Sequence, residues 1–261
     1  MPRTRSPYAS SISFGPGPPS TAIKAIIAAN VVLFLAQSFG LRGVPSYSDA
    51  VTEWLGLHPG NVLGPLVKDG HLYVWQLATY MFLHGGISHI LFNMLALWMF
   101  GTELERMWGT RYFLKYYFVT GIGAAILTVL FSLLPFGFAA SVYKSNVIGA
   151  SGAIYGLLLA YALYFPDRPI YMYLVFPIPA KYFVMIMGAL AFYSSVGNIG
   201  GVASATHLGG LLVGYLYLRG ARIHPLSDVK YRYVKWRINR VRKKFDVYSG
   251  GRTDDWDRRI H

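Results

Sequence analysis

Six apolar stretches, each close to the length that crosses a bilayer, constrain this chain more than any other feature. A helix needs about 20 largely apolar residues to span a hydrocarbon core about 30 Å thick. Such stretches run over residues 21–39, 87–105, 112–134, 149–165, 180–195 and 203–218. Pro135 and Pro166 close the third and fourth, and Pro177 and Pro179 precede the fifth. In lipid every backbone polar group must be satisfied within the chain, so stretches of this kind fold as helices. The expected fold is therefore all-α: a polytopic membrane protein whose six-transmembrane-helix bundle covers residues 21–219. Composition agrees, with 54% hydrophobic and 13% charged residues, against about 25% charged in soluble domains. A disordered chain would be poor in apolar residues, and a disulfide scaffold needs cysteines, of which the chain has none. The net charge of +13 would suit a nucleic-acid binder, but the apolar excess would not. No nucleic-acid partner is expected.

The basic residues orient the bundle. With the N-terminus cytoplasmic, the segments 1–24, 105–115, 166–181 and 219–261 lie inside and hold 21 of the 24 Lys and Arg. The outside loops hold Arg42, Lys68 and Lys144. This is the positive-inside pattern, and it places both termini in the cytoplasm. Residues 1–20, rich in Pro, Gly and Ser, read as a flexible cytoplasmic arm. Residues 40–85 form a long external loop carrying Trp54, Tyr73, Trp75 and Tyr80. Trp and Tyr favour headgroup depth, so partial immersion of this loop is expected. Residues 220–261 are a basic cytoplasmic tail. Its stretch KYRYVKWRINRVRKKF reads either as a helix on the anionic lipid surface or as a solvated tail that sets topology. No transit peptide is evident, which favours a bacterial plasma membrane.

Polar groups at membrane depth are costly and mark functional candidates. Three clusters stand out: His84 to Asn93 entering the second span, Gly149 to Gly156 opening the fourth, and Thr206 to Gly210 near the start of the sixth. The even-numbered spans all enter from outside. His89, Asn93, Ser151 and His207 should therefore share one shallow layer, facing the external side. Each residue taken singly has a structural reading. Gly149, Gly152 and Gly156 recur at i, i+3 and i+7, which suits close helix packing. A lone His can be a hydrogen-bonded structural group, and Asn93 can bond across helices.

The set suits nucleophilic catalysis, which needs a hydroxyl, a base to take its proton, and donors for the developing oxyanion. Ser151 supplies the first, His207 the second, and His89 with Asn93 the third. Tyr155 lies one turn along from Ser151 on the same face and can hold an imidazole by stacking. No carboxylate is available to orient His207, so a dyad is expected in place of a triad. His84, His89 and His207 could offer three nitrogens to a metal. HExxH is absent, however, and no Asp or Glu lies at that depth, so no metal or other cofactor is expected.

At these residues the sequence resembles the rhomboid intramembrane serine proteases, over roughly residues 21–219. The family's GxSGxxxG-type motif is similar to Gly149-Ala-Ser151-Gly152-Ala-Ile-Tyr155-Gly156, its HxxxxHxxxN motif to His84, His89 and Asn93, and its AHxxGxxxG-type motif to Thr206-His207-Leu-Gly-Gly210-Leu-Leu-Val-Gly214. Glu105 and Gly109 also suit the pattern. The resemblance implies a Ser151–His207 dyad and an oxyanion hole built from the Ser151 N–H, His89 and Asn93. It also implies a supporting role for His84 and stacking of Tyr155 on His207. The implied substrates are transmembrane proteins, cut in or near a membrane segment. Two departures are visible: a Trp-Arg pair of some bacterial members aligns with Trp75-Gln76, and Ile148 stands where Gly is frequent. A non-catalytic relative that binds transmembrane segments is the alternative, although such proteins usually lack the Ser or the His. A transporter would carry broken helices or charges near the midplane, and neither is evident.

Overall fold

A computed structural model describes residues 15–39, 47–62, 73–172, 176–196 and 203–222. The chain divides into two compact units, Met1–Leu218 and Arg219–His261, and the description below concerns the first. Most of the basic tail lies outside the described residues, as do residues 1–14 of the arm and parts of the 40–85 loop.

Apolar content builds the long helices and Pro or Gly ends them. Helix α1 (Thr21–Phe39) is followed by two short helices, α2 (Tyr47–Leu55) and α3 (Pro59–Val62), and by the single turn α4 (Gln76–Thr79). Helix α5 (Ile87–Ala96) passes through a π-helical turn, Leu97–Gly101, into α6 (Thr102–Trp108). Gly109, at φ +79°, ends α6 and starts α7 (Thr110–Ser132). Helix α8 (Gly137–Tyr143) precedes α9 (Ser151–Tyr164), and α10 (Ala180–Val196) and α11 (Ala203–Arg222) complete the bundle. Among the described residues, three runs are long and apolar enough to cross a bilayer: Thr21–Ser38, Ile87–Trp108 and Thr110–Ser132.

Helix α9 is shorter, at 14 residues, or about 21 Å at 1.5 Å per residue. It is apolar all round because it is buried nearly all round, from Gly152 to Leu158 and again from Ala160 to Ala162. Such a helix belongs in the core of a bundle. Glycines let its neighbours close in. A Cβ on Gly210 of α11 would sit 2.0 Å from the Gly152 carbonyl oxygen, and one on Gly156 would sit 2.1 Å from Thr120 Cγ2 of α7. Gly152 and Gly156 thus line the packing seam. Gly149 does not: it precedes the helix, at φ +122°, and the helix-like spacing of the three glycines conceals that difference.

Three features were not expected. Two short strands, β1 (Pro169–Met172) and β2 (Phe176–Pro179), pair antiparallel in the register Ile170 opposite Ile178. Tyr80 is fully buried in the core and donates its hydroxyl hydrogen to the Gly121 carbonyl at 2.7 Å. Residues 15–20 make defined contacts. Trp98 Nε1 donates to the Gly17 carbonyl at 3.0 Å, Arg106 donates to the carbonyls of Pro16 and Pro18, and the Ser20 hydroxyl donates to Glu105.

Candidate active site

Ser151 is the first residue of α9, and the segment before it is held at three points. Val147 pairs with Leu57 through two backbone hydrogen bonds of 2.9 Å each. The Asn146 amide donates to the Thr52 carbonyl at 3.0 Å. The Gly149 N–H donates to the Tyr80 carbonyl at 2.9 Å. Gly149 adopts a positive φ that L side chains rarely take, and a Cβ there would lie 2.7 Å from His89 Nε2. The missing side chain therefore lets the His89 ring pack directly against the backbone that precedes α9. The first hydrogen bond of α9 runs from the Ile154 N–H to the Ala150 carbonyl, at 3.1 Å. The N–H groups of its first turn have no intrahelical acceptor and carry the positive end of the helix dipole.

His207 reaches this point from α11. Its Nε2 is 2.8 Å from Ser151 Oγ. Tyr155, one turn into α9, stacks its ring on the imidazole with centroids 4.1 Å apart and planes 7° from parallel. Two further contacts set the height of α11. The Thr206 hydroxyl meets the Thr128 hydroxyl of α7 at 2.9 Å in a buried position, and the Gly152–Gly210 approach brings the helix backbones together.

His89 stands in the first turn of α5. The Gly85 N–H donates to His89 Nδ1 at 3.3 Å. Nδ1 is therefore the acceptor, and in the neutral ring the hydrogen sits on Nε2, the nitrogen that lies against Gly149. The Asn93 amide donates one hydrogen to the His89 carbonyl at 2.9 Å and keeps a second one. His84 is buried, packs edge-on against His89 with centroids 5.0 Å apart, and its backbone N–H donates to Gln37 Oε1 of α1 at 3.3 Å. Among the described residues no three His, Asp or Glu side chains gather closely enough to hold a metal ion.

The structure thus brings Ser151, His207 and Tyr155 into direct contact and sets His84, His89 and Gly149 side by side. The residues that brace the site from outside it were not anticipated from the sequence. Gln37, Gln76, Thr79 and Asn146 all act through backbone groups distant in sequence, and no local pattern marks them.

A helical bundle of apolar helices that brings a serine hydroxyl and an imidazole together at the start of its central helix defines a polytopic membrane protein with a half-buried polar site. The rhomboid domain model matches residues 71–222, which include every residue of that site, and the chain belongs to the rhomboid family. It is similar to the rhomboid protease GluP of Bacillus subtilis, 39% identical over 141 residues that make up 54% of this chain and 25% of the relative. It is also similar to the yeast (Saccharomyces cerevisiae) mitochondrial rhomboid protein 1, 36% identical over 52% of this chain and 38% of the relative. The rhomboid protease AarA of Providencia stuartii is 30% identical over 54% of each chain. The chain therefore spans well under half the length of the first two of these relatives. Family and helices together make it an integral membrane protein.

Proposed function

We propose that this protein is an intramembrane serine endopeptidase that hydrolyses peptide bonds in or near transmembrane segments of other membrane proteins. The observation that carries this reading is the 2.8 Å contact between Ser151 Oγ and His207 Nε2, with Tyr155 stacked on the imidazole. His207 takes the Oγ proton as the Ser151 oxygen forms a bond to the scissile carbonyl carbon. The carbonyl oxygen becomes an oxyanion beside the Ser151 N–H, His89 Nε2–H and the spare hydrogen of Asn93. His207 then gives its proton to the leaving amine, the C–N bond breaks, and water attacks the acyl-enzyme by the same route. The stack on Tyr155 does the orienting that a carboxylate does in a triad. The names of GluP and AarA as proteases support the assignment.

In the same reading the bundle has six spans, both termini are cytoplasmic, and the site opens toward the outer face of a bacterial plasma membrane. Domain limits follow: an arm over 1–20, the protease bundle over 21–219 and a basic tail over 220–261 that meets anionic lipid. The experiment is cleavage of a model transmembrane substrate by detergent-solubilised protein. Ser151→Ala and His207→Ala should each cut at less than about one thousandth of the wild-type rate. Cleavage by Ser151→Ala at the wild-type rate would sink the mechanism, and an inert wild-type protein would favour a binding role for the same cleft.

A further inference from the structure

The last four carbonyls of helix α2, which a helix end leaves short of partners, are all taken. The Thr52 carbonyl accepts from the Gly56 N–H at 2.8 Å and from the Asn146 amide at 3.0 Å. The Glu53 carbonyl accepts from Gln76 Nε2 at 2.9 Å. The Trp54 carbonyl accepts from Gln76 Nε2 at 3.3 Å and from Trp75 Nε1 at 2.9 Å. The Leu55 carbonyl accepts from the Thr79 hydroxyl at 2.6 Å. Gln76 then accepts the His58 N–H on its Oε1 at 3.1 Å. Its amide is fully buried and used at both ends. One side chain thus bridges the end of α2, the turn after it and α4.

This joint is also where the approach to Ser151 is anchored. Thr52 and Leu57, on either side of the Gln76 contacts, hold Asn146 and Val147. Tyr80, immediately after α4, holds Gly149. The segment 146–149 is therefore fastened to two pieces of chain whose mutual position depends on Gln76. Gly56 shows how little slack exists, since a Cβ there would meet Asn146 Oδ1 at 2.2 Å. We infer that Gln76 is a positioning residue for Ser151: its buried amide locks the end of α2 to α4, and through Leu57–Val147 and Tyr80–Gly149 it fixes the backbone that delivers the nucleophile. A neutral amide suits this joint because it donates to two carbonyls and accepts from one N–H. A guanidinium can only donate. The inference rests on Ser151 being the nucleophile, as proposed above.

The test uses the full chain in detergent with a serine-directed fluorophosphonate, which forms a P–O bond to a reactive hydroxyl with loss of fluoride. The labelling end point counts competent sites, and the rate per labelled site reports how Ser151 is held. Gln76→Glu keeps the acceptor for the His58 N–H and loses the donor, whereas Gln76→Ala loses both. The rate per site and kcat should fall about 10-fold in Gln76→Glu and about 10- to 100-fold in Gln76→Ala, because small misplacements of reacting groups carry penalties of that order. KM for a transmembrane substrate should stay within about twofold, as expected when only the chemical step is impaired. A lowered end point with a wild-type rate per site would make Gln76 merely structural and overturn the inference. If Gln76→Ala gives no labelled protein, Gln76→Glu decides by the same criterion. Ser151→Ala separates the two claims. Full labelling of that variant would overturn the proposed function itself, whereas wild-type rates per site in both Gln76 variants, beside an inert Ser151→Ala, would overturn the positioning role alone.

Discussion

Asn93 sits one turn beyond His89 on α5 and is buried, with one amide hydrogen spent on the His89 carbonyl. That bond fixes the plane of the amide. In the proposed mechanism the second hydrogen meets an oxyanion that the resting protein does not contain. A donor of this kind gains little in the ground state and much in the transition state, which is the form of binding that raises kcat. Asn93→Ala should therefore lower kcat about 10²–10³-fold, with KM little changed. Steady-state cleavage of a transmembrane substrate checks this. A rise in KM with kcat intact would show that Asn93 binds substrate and plays no part in stabilising the oxyanion. His89 is proposed for the same task from its spacing to Asn93, but its tautomer cannot be read from the sequence. That follows from the Gly85 N–H at Nδ1, a contact made by a tight turn that no periodicity reports.

Between elements, the packing of α9 against α11 governs whether Ser151 meets His207. The seam is backbone against backbone, because a Cβ on Gly210 would lie 2.0 Å from the Gly152 carbonyl oxygen and 2.9 Å from its carbon. Neither atom is the end of a flexible side chain, so a larger residue must push the helices apart. Gly210→Val should lower the thermal midpoint in detergent by an amount equivalent to about 1–3 kcal/mol, the usual cost of overpacking, and should abolish cleavage. Gly137→Ala is the control, since nothing lies within 4 Å of a Cβ there. Equal midpoints for Gly210→Val and wild type would show that the seam is slack. The glycine spacing made most of this seam legible, because small residues at helical intervals have one common use in membranes. It misplaced Gly149, which precedes α9 at a positive φ and lets His89 approach the backbone closely. The pair of strands β1 and β2 was not legible either. Its sequence PIYMYLVFPIP carries prolines at both ends and no polar alternation, and its pairing is stabilised by the burial of Ile170 against the bundle.

At the scale of the molecule, the residues proposed for the chemistry stand out in the sequence while the frame around them does not, for a physical reason. Ser151, His207, His89 and Asn93 are polar groups in apolar helices, and their cost makes them conspicuous. Gln76 and Thr79 lie in the single turn α4 and Asn146 in the connection from α8 to α9, outside the long apolar helices, where such residues are ordinary. Their purpose appears only when α2 exposes its last carbonyls to them. The resulting site is crowded. His207 is pinned between Ser151 and Tyr155, and α11 lies against the backbone of α9 at Gly152. A continuous substrate helix hides each carbonyl inside its own i to i−4 hydrogen bond, so attack by Ser151 requires a locally unwound segment. Unwinding near a Pro or Gly is cheaper because the helix there has already lost a bond or gained backbone freedom. For the proposed protease, a substrate carrying one helix-breaking residue near the cut should therefore be cleaved about 10-fold faster than its Ala counterpart, matching a difference of about 1 kcal/mol or more in local helix stability. The comparison is made with paired substrates of equal hydrophobicity, reconstituted with the protein in vesicles. Equal rates would mean that unwinding is complete before the chemical step and that the crowded site selects substrates by another property.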